Sequence, residues 1–486
     1  MKISQSNNLL NSLWNLFDVL AYPAVFLGFT PFFIERMGAE EFGLWMLVNS
    51  ILVSFQLLNF GLGAATQRNV ARYLGKNDRP GMWQSINTNL SLGLVLLLIC
   101  MAVGGILILG VRQVGIFNLD PKLHDRMSLL LFITSILVAL KFIEQIAHGA
   151  LKGLENFQVP ARINLVVRFS ILLANIQLVS MGYDLEYLFG SNLLITFSSF
   201  FIYYIFIKKH LPGYTLQLIW EKSSIVEELK YGLHNWVQSV SVILTYQFDR
   251  FIVTSVFGLA TLSYYSIVAT MFNHIHMAYN SLVPWLLPKV ARLREEGAEL
   301  NRLFLTARSF TILAGISSLL VFQFISPALL TLWLGVDLYL KIENLVNLYC
   351  VFELFFIFTS ARYFFLNGSG YERLLTRLTL QLSAITILAM LVGLWHFQTV
   401  EGLVYGLVFG TALGIWLENF IINKKVLKQS TWKEGFLLIL PSILATLIIY
   451  SSGIWITLAL AGLLIVSGYL LFIRTGDFNL KVLLFG

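Results

Sequence analysis

About fourteen apolar stretches of roughly eighteen residues or more recur along this sequence, and no other feature limits its fold so tightly. In lipid, every backbone N–H and C=O must be satisfied inside the protein, so runs of this length cross as α-helices. They fall roughly at 11–34, 42–60, 83–110, 127–148, 159–181, 185–207, 231–256, 262–288, 306–334, 343–366, 374–397, 401–423, 433–452 and 454–474, and are numbered here as runs 1 to 14. Runs 13 and 14 lie back to back around Ser451, Ser452 and Gly453. Only 12% of the 486 residues are charged and 57% are apolar. An ordinary soluble domain carries roughly 25% charge, so too little polar surface remains to cover a globule of this size in water. The chain reads as an all-α polytopic membrane protein.

Run 1 is too long for the apolar core of a signal peptide. It contains Pro23 and Pro31, and no small-residue cleavage site follows, so it is expected to be retained as a helix. Cys100 and Cys350 sit inside separate apolar runs and read as packing residues.

Lys and Arg set the orientation. With the N-terminus inside, 24 of the 33 fall in inside connections. Five fall outside (Arg36, Arg112, Lys122, Arg126 and Lys341), and four lie within runs (Lys141, Arg168, Arg250 and Arg362). Both termini are therefore expected in the cytoplasm. The net charge of +7 follows from basic loops facing an anionic leaflet of the phospholipid bilayer, with no nucleic acid as partner. The longest inside connections, about 61–82 and 208–230, read as short basic elements, and no soluble catalytic domain fits anywhere.

A shift of 220 residues brings Gly38 onto Gly258, Trp45 onto Tyr265, Val48 onto Val268, and Val70-Ala71-Arg72 onto Val290-Ala291-Arg292. Two halves of six helices in the same orientation are related by an axis along the membrane normal. The expected organisation is an N-terminal lobe over 1–210, a C-terminal lobe over 211–430, and two additional helices over 431–486.

Polar side chains at membrane depth cost several kcal/mol unless paired or wetted, so their faces show where a cavity can lie. Run 7 carries His234, Gln238, Ser241, Thr245 and Asp249 on one stripe; run 1 carries Asn11, Asn15, Asp18 and Tyr22. Asp18 and Gln238 coincide under the 220 shift. Two such stripes read as walls of one cavity, or else as a dry interface of helix–helix hydrogen bonds. Run 5 aligns Asn164, Arg168 and Asn175; Arg168 either snorkels to the headgroups or binds an anionic substrate group. Run 4 carries Lys141, Glu144 and His148, where Lys141 and Glu144 can neutralise each other. Glu353 and Arg362 in run 10 lie on opposite faces, and Arg362 is near enough to the inside end to snorkel. Asp249 and Arg250 can pair locally. Gly402, Gly406, Gly410 and Gly414 form a small-residue ladder for close helix packing.

No P-loop, HExxH, GxSxG or metal-spaced Cys/His set occurs. The residues point to no catalytic constellation and no cofactor, which leaves a transporter driven by an ion gradient or by its substrate's own gradient.

Several segments resemble the polysaccharide transporter (Wzx-type) flippases of bacteria, in the superfamily that also holds lipid II flippases and MATE multidrug exporters. They are Gly38-Ala39-Glu40-Glu41-Phe42-Gly43-Leu44-Trp45; Asn59-Phe60-Gly61-Leu62-Gly63 followed by Arg68, Ala71, Gly75 and Asp78; Gln247-Phe248-Asp249-Arg250 before Gly258, Tyr264 and Tyr265; and Pro327 through Leu332-Trp333-Leu334-Gly335. They span most of residues 1–340; beyond about 375 hydropathy alone supports the match. The resemblance implies two six-helix lobes around a central cavity, alternating access, and export of an undecaprenyl-pyrophosphate-linked oligosaccharide across the bacterial inner membrane. The polysaccharide polymerase and chain-length machinery are its implied partners. On that reading Arg168, Lys141, Asn164, Asn175, His234, Gln238 and Asn15 line the substrate cavity, and Asp18 and Asp249 bind a coupling H+ or Na+. The rivals are a MATE-like cation-coupled exporter of drugs or small metabolites, a lipid II flippase, and a membrane polysaccharide polymerase or ligase, which needs a larger outside loop than any present here.

Overall fold

In the computed structural model the described residues are 25, 27–280, 283, 286–296, 300–428 and, within 440–450, all but 441 and 448. They are almost entirely helical. The helices are α1 over 27–37, α2 Ala39–Phe55, α3 Leu62–Gly75, α4 Arg79–Leu109, α5 His124–Gly153, α6 Gln158–Ser180, α7 Leu185–His210, α8 Lys222–Asn280, α9 Leu286–Glu295, α10 Asn301–Leu334, α11 Val336–Phe356, α12 Phe358–Gly368, α13 Glu372–Phe397 and α14 Val400–Ile422. Among the described residues, nine helical stretches are long and apolar enough to cross a membrane. The protein is a multi-pass membrane protein.

Local chemistry explains where helices start. Asp78 accepts a hydrogen bond from the Gly81 amide at 3.0 Å, with Pro80 in the first turn of α4. Thr399 caps α14 by accepting from the Gly402 amide at 3.0 Å. Both caps satisfy an amide that the helix itself leaves open.

Runs 7 and 8 are the two helical arms of α8, which turn back on each other at the non-helical Gly258. Gly258 has φ 82° and ψ 177°, and Gly38, its equivalent in the repeat, has φ 82° and ψ 162°. This region is essentially closed to residues with a Cβ. The reversal shows in the contacts. Tyr265 and Asp249 would be about 24 Å apart on a straight helix, yet they are hydrogen-bonded at 2.5 Å. Across Gly38, the Phe33 and Trp45 rings meet with centroids 4.8 Å apart. Run 10 is covered by α11 and α12, which meet at Ile357, where the backbone stays in the right-handed helical region. The basic element expected over 61–82 contains the helix α3. Run 13 is described only in part, and run 14 lies outside the described residues.

Two compact units emerge, Met1–Ser266 and Ile267–Gly486. In the first, Val70, Ala150, Leu151, Val167, Tyr203 and Ile207 are buried together. In the second, Val290, Phe304, Phe365, Leu375 and Ile422 form the corresponding core. The repeat recurs in detail. A Cβ on Gly153 of α5 would meet the Gln67 carbonyl and Val70 of α3; one on Gly368 of α12 would meet the Leu287 carbonyl and Val290 of α9. Gln67 and Leu287, like Val70 and Val290, are 220 residues apart.

The packing boundary after Ser266 differs from the lobe boundary expected at 210/211, because the chain after α7 stays attached to the first unit. Tyr214 donates to Asn87 of α4 at 2.8 Å, Asn87 donates to the Thr215 carbonyl at 3.0 Å, and the Ile219 amide donates to Ser91 at 2.8 Å. Ser85 then donates to Glu228 at 2.6 Å. Ser85, Asn87 and Ser91, all buried on α4, thus find partners in this strap. Burial also pushes the Tyr214 hydroxyl well above the usual tyrosine range, so it remains a donor. Further along α8, Trp236 meets Phe60 and Phe251 meets Phe117, with centroids 5.2 and 5.9 Å apart.

The glycine ladder of α14 seats on α13. A Cβ on Gly406 would strike the Ala389 carbonyl, one on Gly410 would meet Thr386, and one on Gly414 would meet Leu382. The sequence reading of these glycines as packing residues accounts for the close approach.

Candidate substrate and ion site

The expected site residues occupy distinct settings. Asn15 and Asp18 lie outside the described residues. His234 and Gln238 fall within α8, with their side chains outside the described set. The remaining five are described.

Lys141 on α5 forms an ion pair with Glu144 at 2.8 Å, so the neutralisation anticipated from their spacing is present. Asn164 on α6 accepts from the Tyr203 hydroxyl of α7 at 2.8 Å, with Tyr203 fully buried; this amide works inside a helix–helix interface. Asn175 is buried, and its carbonyl oxygen has no hydrogen-bond partner. Arg168 is half-buried within α6. His148 of α5 lies within electrostatic range of both Arg168 and Lys152. Basic side chains of α5 and α6 are therefore gathered around His148. A guanidinium there can form paired, charge-assisted bonds to an oxyanion.

Asp249 is buried. It accepts from the Tyr265 hydroxyl at 2.5 Å and from the Arg250 amide at 2.8 Å. The described residues hold no group of three or more His, Cys, Asp or Glu suited to a metal ion.

For other ionisable groups the partners escaped the sequence reading. Arg126, at the start of α5, forks onto Glu41 of α2 at 2.6 and 3.1 Å and onto Glu186 of α7 at 2.8 and 3.2 Å. Both carboxylates stand in the first turns of their helices, where the dipole favours negative charge. In the second unit, Arg362 pairs with Glu418 and His276 with Glu353. Arg362 therefore does not snorkel: its charge is answered by α14, 56 residues further along. Spacing within one helix carries no trace of such partners. Tyr265 had a signal, since it belongs to the segment that carries the family resemblance and aligns with Trp45.

This arrangement is a polytopic helical membrane fold, with ionisable side chains held by pairing inside each unit. It is similar to the solved lipid II flippase MurJ in an inward closed conformation, with a TM-score of 0.69 and 15% identity over 96% of this chain and 98% of that one. An inward-facing multidrug resistance MATE family transporter of the MOP superfamily gives 0.65 and 16% identity, covering 84% and 92%. A MOP superfamily transporter from Pyrococcus furiosus gives 0.56 and 13%, covering 84% and 93%. These likenesses concern the fold. No curated protein matches the sequence. The sequence matches the profile of the family described as polysaccharide biosynthesis protein over residues 12–294, and the chain belongs to that family.

Proposed function

We propose that this protein is a flippase that moves an undecaprenyl-pyrophosphate-linked oligosaccharide, an O-antigen or capsule/exopolysaccharide repeat unit, across the bacterial inner membrane by alternating access. The observation that carries the reading is Arg168, a half-buried cation set within a membrane-spanning helix beside His148 and Lys152. A cation at depth lowers the cost of bringing phosphate charge out of water. The family to which the chain belongs and the fold it shares with a lipid II flippase support the same reading.

Within this proposal Arg168 receives the pyrophosphate or an acidic sugar, and Asn175 offers its unpartnered carbonyl to a hydroxyl. Lys141, Asn164, His234, Gln238 and Asn15 complete the wall, and Asp18 or Asp249 binds the coupling H+ or Na+. The lobes are 1–210 and 211–430, with 431–486 additional and both termini cytoplasmic. Polymerase and chain-length proteins act on the exported unit.

A lipid extract from a strain lacking the gene tests the proposal. Build-up of a complete polyprenyl-linked repeat unit with loss of surface glycan is the expected result. An unchanged lipid pool overturns it and moves the weight to a MATE-like exporter. Loss of viability with accumulation of lipid II points to peptidoglycan precursor transport instead.

A further inference from the structure

The second unit contains a buried acid–base pair that the functions assigned so far do not use. His276, on the arm of α8 after Gly258, meets Glu353 of α11 with Nδ1 and Oε1 2.6 Å apart. The two side chains are 5% and 1% exposed. The second carboxylate oxygen, Oε2, is buried without a hydrogen-bond partner. Aromatic rings enclose the pair: Phe356 lies 4.4 Å from the imidazole centroid, and Phe352 stacks on Phe356 at 5.0 Å.

The titratable groups around the pair are hydroxyls and a thiol. Tyr279 of α8 faces Glu353, with its own hydroxyl held by Ser318 of α10 at 2.8 Å. Cys350 lies one turn back on α11, and Tyr450 and Tyr405 stand beyond it. Ser442 occupies the Leu354 carbonyl at 2.7 Å. Arg362 is committed to Glu418. Among the described residues, His276 is the basic group that Glu353 meets.

We propose that His276 and Glu353 form a further proton-binding site, in the second unit and additional to the one assigned to Asp18 or Asp249, that helps couple transport to a proton gradient. This deepens the transport reading and rests on it. With a neutral imidazole donating to the carboxylate, the pair carries one negative charge. Burying that charge beside aromatic rings costs several kcal/mol. One added proton gives imidazolium–carboxylate, or imidazole–carboxylic acid with the proton on Oε2, and the net charge falls to zero. The closed site therefore holds the extra proton, and wetting from one face releases it. The proton enters from one aqueous phase and leaves to the other; only an N–H or O–H bond forms and breaks. The face of Phe356 further favours a cationic ring.

The test uses the full chain in lipid bilayers with 13C-carboxyl-labelled glutamate, followed by infrared difference spectra between about pH 5 and 9, a range bracketing unperturbed His and the raised end of buried carboxyls. A glutamic acid band that titrates in the wild type, vanishes in Glu353→Gln and moves by about one pH unit, a tenfold change in proton affinity, in His276→Gln is expected. A band that persists in Glu353→Gln, or a wild type with no titrating carboxyl, overturns the proposal. Should Glu353→Gln not fold, Glu353→Asp must move the band; an unmoved band has the same meaning. In cells, Glu353→Gln is expected to stop glycan export. Export that keeps its dependence on the pH gradient overturns the coupling role. The infrared result needs no substrate, so it stands apart from any failure of the lipid-linked glycan reading.

Discussion

The Tyr265 hydroxyl donates to the Asp249 carboxylate across 2.5 Å, joining two arms of one helical element that reverses at Gly258. The bond satisfies a buried carboxylate and fixes the angle of the hairpin together. Tyr265→Phe removes the donor and leaves the acid with the Arg250 amide as its remaining described donor. A loss of about 2 kcal/mol is expected, the typical contribution of a hydrogen bond accepted by a charged group. Thermal unfolding in detergent checks it; an unchanged midpoint means the bond contributes nothing net.

Gly258→Ala isolates the backbone term. A Cβ there meets nothing within 4 Å, so any loss comes from φ 82°. About 1–3 kcal/mol is expected. Gly190→Ala in α7 is the control: its surroundings are also open, its φ is not positive, and alanine favours helix. Equal effects at the two positions refute the conformational argument.

Arg362 and Glu418 are 7% and 2% exposed. Arg362→Met or Glu418→Gln alone strands a buried partner and is expected to cost about 3–5 kcal/mol. The double variant is expected to lose less than either single. Additive losses in a double-mutant cycle show that the two charges act independently.

Arg168 and Lys141 test the assigned substrate cavity. Lys141 already spends its charge on Glu144. Arg168→Ala is expected to abolish surface glycan while leaving membrane insertion intact, and Lys141→Ala to reduce export only a few-fold. Blotting for the protein and for surface glycan in the same cells decides. Normal glycan in Arg168→Ala removes it from the site.

Much of this architecture was present in the chain itself. The length of the apolar runs demands membrane-spanning helices, because lipid leaves the backbone no other partner. The 220-residue shift marks Gly38 and Gly258 before their shared dihedrals are known, and the α14 glycine ladder announces close packing. These are local properties, read within one or two helical turns.

Tertiary structure alone decided which charges meet. Nothing near Glu353 in the sequence names His276, and nothing near Arg362 names Glu418. Arg126 gains its carboxylates from two other helices, and Asn87 finds Tyr214 in a strap 127 residues away. A buried charge must be answered, but any helix brought alongside by packing can supply the answer. Periodicity identifies the face of one helix; it carries no information about which helix lies opposite.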